Sequence, residues 1–230
     1  MKLISTRSSE KTTTNILMTG ESGAGKTWQI RTLPKPLIVS AESGLLSLRD
    51  VDLPAVPITS IADLREVYQF MAKSADAKNY ASVAIDSITE IAEILLAEEK
   101  AKTKDPRQAY FELAVQMSSL LRAFRDLPDH HVYCSAKMIR ERDEATGTFI
   151  YAPSMPGAKL GPLLSYMYDE VIVLRVRRND EGQVERFIQT QRDGTYEAKD
   201  RSGALDMYEP PNVGDLIKKI QAPATTPKAA

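Results

Sequence analysis

With one cysteine, Cys134, this chain can close no intrachain disulfide, which suits a reducing compartment. Cys134 lies inside an apolar run and reads as core, not as a nucleophile. The two histidines, His130 and His131, stand side by side without a Cys/His/Asp cluster at ligand spacing, so they read as surface or structural residues and not as a metal set. No apolar run approaches the roughly 18 residues that span a bilayer. Met1 to Thr14 lacks the apolar stretch of a signal peptide. The expectation is a cytoplasmic chain with no membrane partner. A charge excess is missing too: net charge is −1 and the pI about 6.2, so any DNA contact has to come from local basic patches.

Long linkers and internal repeats are also absent, and 230 residues at 43% hydrophobic and 27% charged fit one large domain more easily than two. The reading is a polar lead-in over 1–14, one domain over 15–220, and a disordered tail over 221–230. Strand-like runs occupy Ile16–Thr19, Leu37–Ala41, Val83–Ile85, Val132–Ala136, Val171–Arg177 and Val184–Thr190, the last two flanking a turn at Asn179-Asp180-Glu181-Gly182. Helices are expected from Lys26 to about Thr32, from Ser60-x-x-Asp63 to about Lys73, from the Ser87-x-x-Glu90 cap onward with Ile88, Ile91, Ile94 and Leu95 on one face, and from about Gln108 to Leu127. Strands alternating with helices predict an α/β fold: a mostly parallel sheet covered on both faces, with an antiparallel hairpin extension.

The most specific feature is the run from Asn15 to Thr27, an apolar strand entering Gly20-Glu21-Ser22-Gly23-Ala24-Gly25-Lys26-Thr27, the G-x-x-x-x-G-K-T phosphate-binding loop. Its glycines let successive backbone N–H groups reach phosphate oxygens. Lys26 can set a cation between β- and γ-phosphates, and Thr27 offers a hydroxyl to Mg²⁺ at a helix N-terminus. An apolar strand ending in Asp86 supplies a carboxylate for the same metal, on a strand expected beside the P-loop strand. The alternative is that Asp86 only caps the next helix. Many P-loop machines place a glutamate directly after this aspartate; here that residue is Ser87. The water-activating base is therefore sought at Glu42, which ends the first strand after the P-loop helix, against the alternative of a solvated acid.

The order strand–P-loop–helix, strand–Glu, strand–Asp-Ser resembles the RecA-like ATPase cores from about Asn15 to Arg201. Within them, Ile85-Asp86-Ser87, Met155-Pro156-Gly157 and Ala198-Lys199-Asp200-Arg201 are similar to the short phage ATP-binding proteins counted among single-strand annealing recombinases. The resemblance implies ATP and Mg²⁺ as cofactors, Glu42 as base, single-stranded DNA as partner, and a host-cytoplasm location if the chain is phage-encoded. A single-strand-binding protein is a further candidate partner. Ring ATPases of this build use a K-x-R pair from a neighbour to contact the γ-phosphate, so Lys199 and Arg201 are candidates for a finger supplied in trans within a head-to-tail homo-oligomer. The other reading is a solvated charged turn.

One departure stands out. Where RecA-like cores often end the next strand in an amide or imidazole that senses phosphate, Val132–Ala136 runs into Lys137. Lys137, Arg140, Arg142 and Lys159, interleaved with Phe149 and Tyr151, form the candidate DNA-binding set; Glu141, Asp143 and Glu144 weaken it, and the two aromatics are equally suited to packing inward. The expected function is ATP-dependent DNA recombination, by annealing or strand pairing in a ring or filament. Two alternatives remain: a small-molecule P-loop kinase, and a nucleotide-gated loader or scaffold that hydrolyses little.

Overall fold

The structure, a computed structural model, describes residues 13–42, 44–142 and 147–222. Most of the lead-in, the tail beyond residue 222, and Asp143 and Glu144 of the basic segment lie outside the described residues.

Chain order is β1 (Asn15–Gly20), α1 (Lys26–Gln29), β2 (Pro36–Ser40), β3 (Ala55–Pro57), α2 (Ile61–Lys73), β4 (Ser82–Asp86), α3 (Ile88–Lys102), α4 (Pro106–Arg125), β5 (His131–Ser135), β6 (Met138–Arg142), β7 (Phe149–Pro153), α5 (Gly161–Met167), β8 (Glu170–Arg178), β9 (Val184–Gln189), β10 (Lys199–Asp200), β11 (Tyr208–Glu209) and α6 (Val213–Gln221). The main sheet runs β11-β9-β8-β1-β5-β4-β2-β3, with β10 pairing β8. From β8 across to β3 the pairings are parallel; β9, β10 and β11 add antiparallel edges. This is the α/β architecture expected from the sequence, a mostly parallel sheet with helices on both faces and an antiparallel extension.

Alternation along the strands explains why both faces are covered. Leu17, Leu37, Val39, Val83, Ile85, Val132 and Cys134 face one side and pack with α2, α3, α4 and α5. Ile16, Met18, Ile38, Ala84, Tyr133 and Ile172 face the other and pack with Ile30, Leu33 and α6. The caps read from sequence are formed: Ser60 and Asp63 make a reciprocal capping box, and the Ser87 hydroxyl accepts from Glu90 N. His130 and His131 are buried and structural, with His131 Nδ1 accepting from Thr14 N at 3.0 Å.

Four details differ from expectation. The Asp86 strand is not beside the P-loop strand: β5 lies between β1 and β4. The helix after the P-loop keeps α geometry only to Gln29, then tightens into a 3₁₀ turn over Ile30–Thr32, because Pro34 forces Leu33 extended (φ −68°, ψ 148°). Helix α4 starts at Pro106, earlier than Gln108, since Asp105 caps it and proline suits a first helical position. And Met138–Arg142 pairs with Phe149–Pro153 as a separate two-stranded ribbon.

At the start of β8, Glu170 is buried opposite Asp200 of β10. Burial, then the facing Asp200 carboxylate, pushes its pKa up from 4.5 to about 8. A raised carboxyl pKa favours the protonated fold, so this contribution is full below about pH 4.5 and is lost as pH rises through about 8. Glu170→Gln mimics the protonated form. It should match the wild type near pH 4 and exceed it by a few kcal/mol at pH 9, since each tenfold change in proton affinity is worth roughly 1.4 kcal/mol. Urea unfolding at both pH values checks this; an equal gap at both would assign the effect to packing.

Candidate functional site

Strand β1 delivers the loop from Glu21 to Gly25 to the end of the sheet where the parallel strands finish. Gly20 is required by contact, since a Cβ there would stand 2.7 Å from the Leu174 carbonyl oxygen of β8. Gly25 is required by conformation, with φ 108° at the N-cap of α1. The loop is held from two sides. Arg186 Nε of β9 donates to Ala24 O at 3.0 Å, and the buried Tyr133 hydroxyl of β5 donates to Lys26 O at 2.9 Å. Lys26 Nζ folds across the loop, donating to Gly20 O at 2.8 Å and Glu21 O at 3.1 Å. Burial lowers its pKa, against the opposing pull of Asp86 and Glu42.

Parallel pairing of β2 and β4 places Ser40 opposite Asp86, and Ala41 N continues the ladder to Asp86 O at 2.9 Å. Glu42 and Asp86 thus emerge at one edge of the sheet. Asp86 is buried; Thr27 Oγ1 donates to its Oδ2 at 2.7 Å, and Ser135 Oγ donates to its Oδ1. Although β5 intervenes between the two strands, it ends in the small Ser135, and Asp86 reaches Thr27 across that end. Desolvation raises the Asp86 pKa, opposed by those two hydroxyl bonds. Glu42 Oε1 accepts from Ser87 Oγ at 2.5 Å, so the residue in the usual glutamate position orients the glutamate from β2. The peptide between Asp86 and Ser87 is cis.

Lys26, Thr27, Glu42, Asp86 and Lys137 line one cavity of about 620 Å³ at the loop. The donors from Thr27 and Asp86 are oxygens only, and among the described residues no group of three or more His, Cys, Asp or Glu could hold a metal. That sparse hard set fits Mg²⁺, which is bound by few carboxylates and takes its remaining oxygens from phosphate and water.

The remaining candidates divide among cavities, with Arg142, Lys199 and Arg201 sharing one of about 630 Å³. Lys137 lies on the wall of the phosphate cavity, its Nζ 2.5 Å from Glu90 Oε2, a bond that raises its pKa. Arg140 and Arg142 are exposed on β6, with the Arg140 guanidinium 4.0 Å from the centroid of the exposed Phe149 ring. Tyr151 instead stacks on Tyr196 at 5.0 Å. Lys159 lines a different, apolar cavity beside Tyr110 and Phe111 of α4. Three of the four cations named from sequence thus line three different cavities: Lys137 the one at the phosphate loop, Lys159 the apolar one and Arg142 the one it shares with Lys199.

Lys199 and Arg201 reach the junction of α5 and β8. Lys199 Nζ donates to the carbonyls of Ser165 and, at 2.7 Å, Tyr168; Arg201 Nη1 meets Asp169 Oδ1 at 2.9 Å. Lys199 is opposite Val171, and Val171 is opposite Leu17, whereas the loop leaves β1 at Gly20. The pair thus lies toward the far end of the sheet from its own P-loop. Lys199 is not in a solvated turn: it satisfies carbonyls at the end of a helix. The Arg201 side chain remains more than half exposed.

Sequence reading missed Ser135, Tyr133 and Arg186. Ser135, a small polar residue closing an apolar run, was a legible signal. Arg186 had none, since its role depends on how β9 registers against β8.

The AAA domain family matches this chain over residues 12–202. A comparison with curated proteins gives no match. Solved structures that resemble it include a KaiC-like protein from the hyperthermophilic archaeon Pyrococcus horikoshii OT3, at 17% identity and TM-score 0.44 over 76% of this chain and 77% of that one. Another is the flagellar accessory protein FlaH from Methanocaldococcus jannaschii, at 12% identity and TM-score 0.49 over 85% of this chain and 83% of that one.

Proposed function

We propose that this chain, which belongs to the AAA domain family, is a Mg²⁺-dependent ATPase that binds single-stranded DNA and works in DNA recombination. The observation that carries the catalytic half is the convergence of Lys26, Thr27, Asp86 and Glu42 on one cavity, with Thr27 and Asp86 2.7 Å apart. Lys26 neutralises charge on the β- and γ-phosphates. Thr27 and Asp86 would hold Mg²⁺, which when bound offsets the charge that develops on the phosphate oxygens. Glu42, oriented by Ser87, takes a proton from water as that water attacks the γ-phosphorus. The bond from the γ-phosphorus to the bridging oxygen breaks, and ADP carries the electron pair away. Lys137, kept charged by Glu90, stands beside the same phosphates.

The DNA half rests on the β6–β7 ribbon, where exposed Arg140 and Arg142 flank exposed Phe149, a pairing of phosphate neutralisers with a stacking face. The deciding measurement is phosphate release with and without single-stranded DNA. Stimulation is expected. Transfer of phosphate to a nucleoside or metabolite would instead make the chain a kinase, and binding without turnover would make it a loader or scaffold. Replacing Arg140 and Arg142 with alanine should weaken single-strand binding and lower the log–log salt slope by roughly 1.4, about 0.7 per lost phosphate contact. An unchanged slope would move the DNA elsewhere, with Arg175, Arg177 and Arg178 of β8 the next surface to test.

Assembly supplies a further expectation. Arg201 is too far along the sheet to serve its own P-loop, so as a finger it would serve a neighbour in a head-to-tail ring or filament. Arg201→Ala and Glu42→Gln subunits should each hydrolyse poorly and regain activity on mixing, because one interface then joins two intact residues. If mixed oligomers form and no ratio exceeds the sum of the parents, Arg201 is only the Asp169 partner seen here.

A further inference from the structure

A further cavity, of about 540 Å³, lies between the first turns of α4 and the segment 156–160 that leads into α5. It shares no lining residue with the phosphate cavity. Pro156, Gly157 and Lys159, all singled out in the sequence, belong to its wall.

Helix α4 carries two apolar stripes. Ala109, Leu113 and Met117 are buried in the core. Tyr110, Phe111 and Ala114 line the cavity. Phe111 is 56% exposed and Tyr110 40%. Single exposed apolar side chains are ordinary, but two neighbouring aromatics at the edge of a concavity form a binding surface. The opposite wall is built close against them: Gly157 has φ +77°, and a Cβ there would stand 3.1 Å from Tyr110 Cδ1.

The charges in the wall have one sign. Arg107 and Lys159 are its only charged residues, with no carboxylate among the lining side chains. The Arg107 side chain is almost fully exposed, 3.4 Å from Asp105. Lys159 is exposed and has no ion pair or hydrogen bond among the described residues. A third cation, Lys100 Nζ, stands 5.4 Å from the Tyr110 ring centroid. Apart from the two cations, Tyr110 is the only lining residue with a polar side chain. A nucleobase would therefore lose the partners of its polar edge on entering, whereas an apolar side chain gives up nothing.

We propose that this cavity docks an acidic peptide segment of another protein, one apolar side chain entering between Phe111 and the 156–160 wall while flanking carboxylates meet Arg107 and Lys159. The apolar anchor supplies the affinity, and the carboxylates supply orientation and the choice of partner. The inference stands apart from the ATPase reading, because the two cavities have no residue in common.

The test uses a fluorescein-labelled peptide with one phenylalanine between runs of aspartate, titrated with the full chain and followed by anisotropy. The wild type should bind it with a Kd of about 100 μM or tighter, within reach of one buried phenylalanine and two charge pairs. Replacing the peptide's phenylalanine with serine should weaken binding by about tenfold or more. Replacing its aspartates with lysines should abolish binding, and raising salt from about 0.05 to 0.5 M should weaken that of the aspartate peptide. Phe111→Ser and Arg107→Glu, both at exposed positions, should each reduce affinity at least about fivefold while melting like the wild type. The comparison of peptides on the wild type stands even if a variant does not fold. No binding by the wild type overturns the proposal, as does equal binding of the lysine peptide or full affinity in both variants. Displacement of the peptide by oligothymidylate would give the cavity to single strands instead. A shift of the wild type from oligomer to monomer in Phe111→Ser, with peptide affinity unchanged, would give it to a second copy of this chain.

Discussion

Glu42→Gln should bind Mg-ATP with wild-type affinity and hydrolyse it about 10²–10⁴-fold more slowly, the usual range for removing a positioned general base. The amide keeps the shape and can still meet the Ser87 hydroxyl, which donates to Glu42 Oε1 at 2.5 Å. What it loses is the capacity to accept a proton from water. Binding should survive because Lys26 and Thr27, not Glu42, hold the phosphates. Single-turnover phosphate release beside equilibrium nucleotide binding separates the two effects. Turnover at the wild-type rate would place the base elsewhere, and weakened binding would make Glu42 a metal or phosphate ligand. Ser87→Ala should fall between: it frees the carboxylate without removing it, and the Glu90 N–H loses its cap acceptor as well.

Lys26→Ala should lose both binding and turnover, with affinity down by at least about a hundredfold, because charge-assisted bonds to phosphate are the strongest single contacts the loop can make. Global collapse is not expected. The loop is tied at Ala24 O by Arg186 and at Lys26 O by Tyr133, and the second tie uses a backbone atom that alanine retains. Removing a half-buried ammonium whose pKa burial already lowers even relieves a desolvation cost. Calorimetric titration together with thermal melting checks this: a wild-type melting curve with no nucleotide binding is the expected pair of results. Preserved turnover would remove the phosphate-loop assignment.

How legible was this molecule from its residues? The phosphate loop, Asp86 and Glu42 each follow an apolar run short enough to be a buried strand, and such runs end together when the sheet is parallel. Their convergence was therefore readable without coordinates. The insertion of β5 between β1 and β4 was not, since β5 is as apolar as its neighbours and nothing in its composition states its rank in the sheet. The fate of the cations was the least legible. Lys137 and Arg140 are close in sequence, yet one lines the cavity at the phosphate loop against Glu90 and the other sits on a ribbon over Phe149. Proximity along the chain could not reveal that the chain leaves the main sheet after β5 and enters a separate two-stranded ribbon at β6. Lys199 likewise read as a finger or as part of a solvated turn, because carbonyl acceptors leave no mark in a sequence.

The insertion of β5 has a thermodynamic corollary. Its last residue, Ser135, holds Asp86; the chain then passes Lys137 at the wall of the phosphate-loop cavity and enters the ribbon that carries Arg140. Only Ala136 and Lys137 separate β5 from β6, so the strand whose last residue holds the metal-side carboxylate leads directly into the arginine ribbon. If the ribbon takes up DNA as proposed, the two equilibria are bound by reciprocity. Whatever factor DNA adds to nucleotide affinity, nucleotide must add to DNA affinity. Unequal factors would mean that a third ligand, or a change in assembly, is hidden in one of the two titrations.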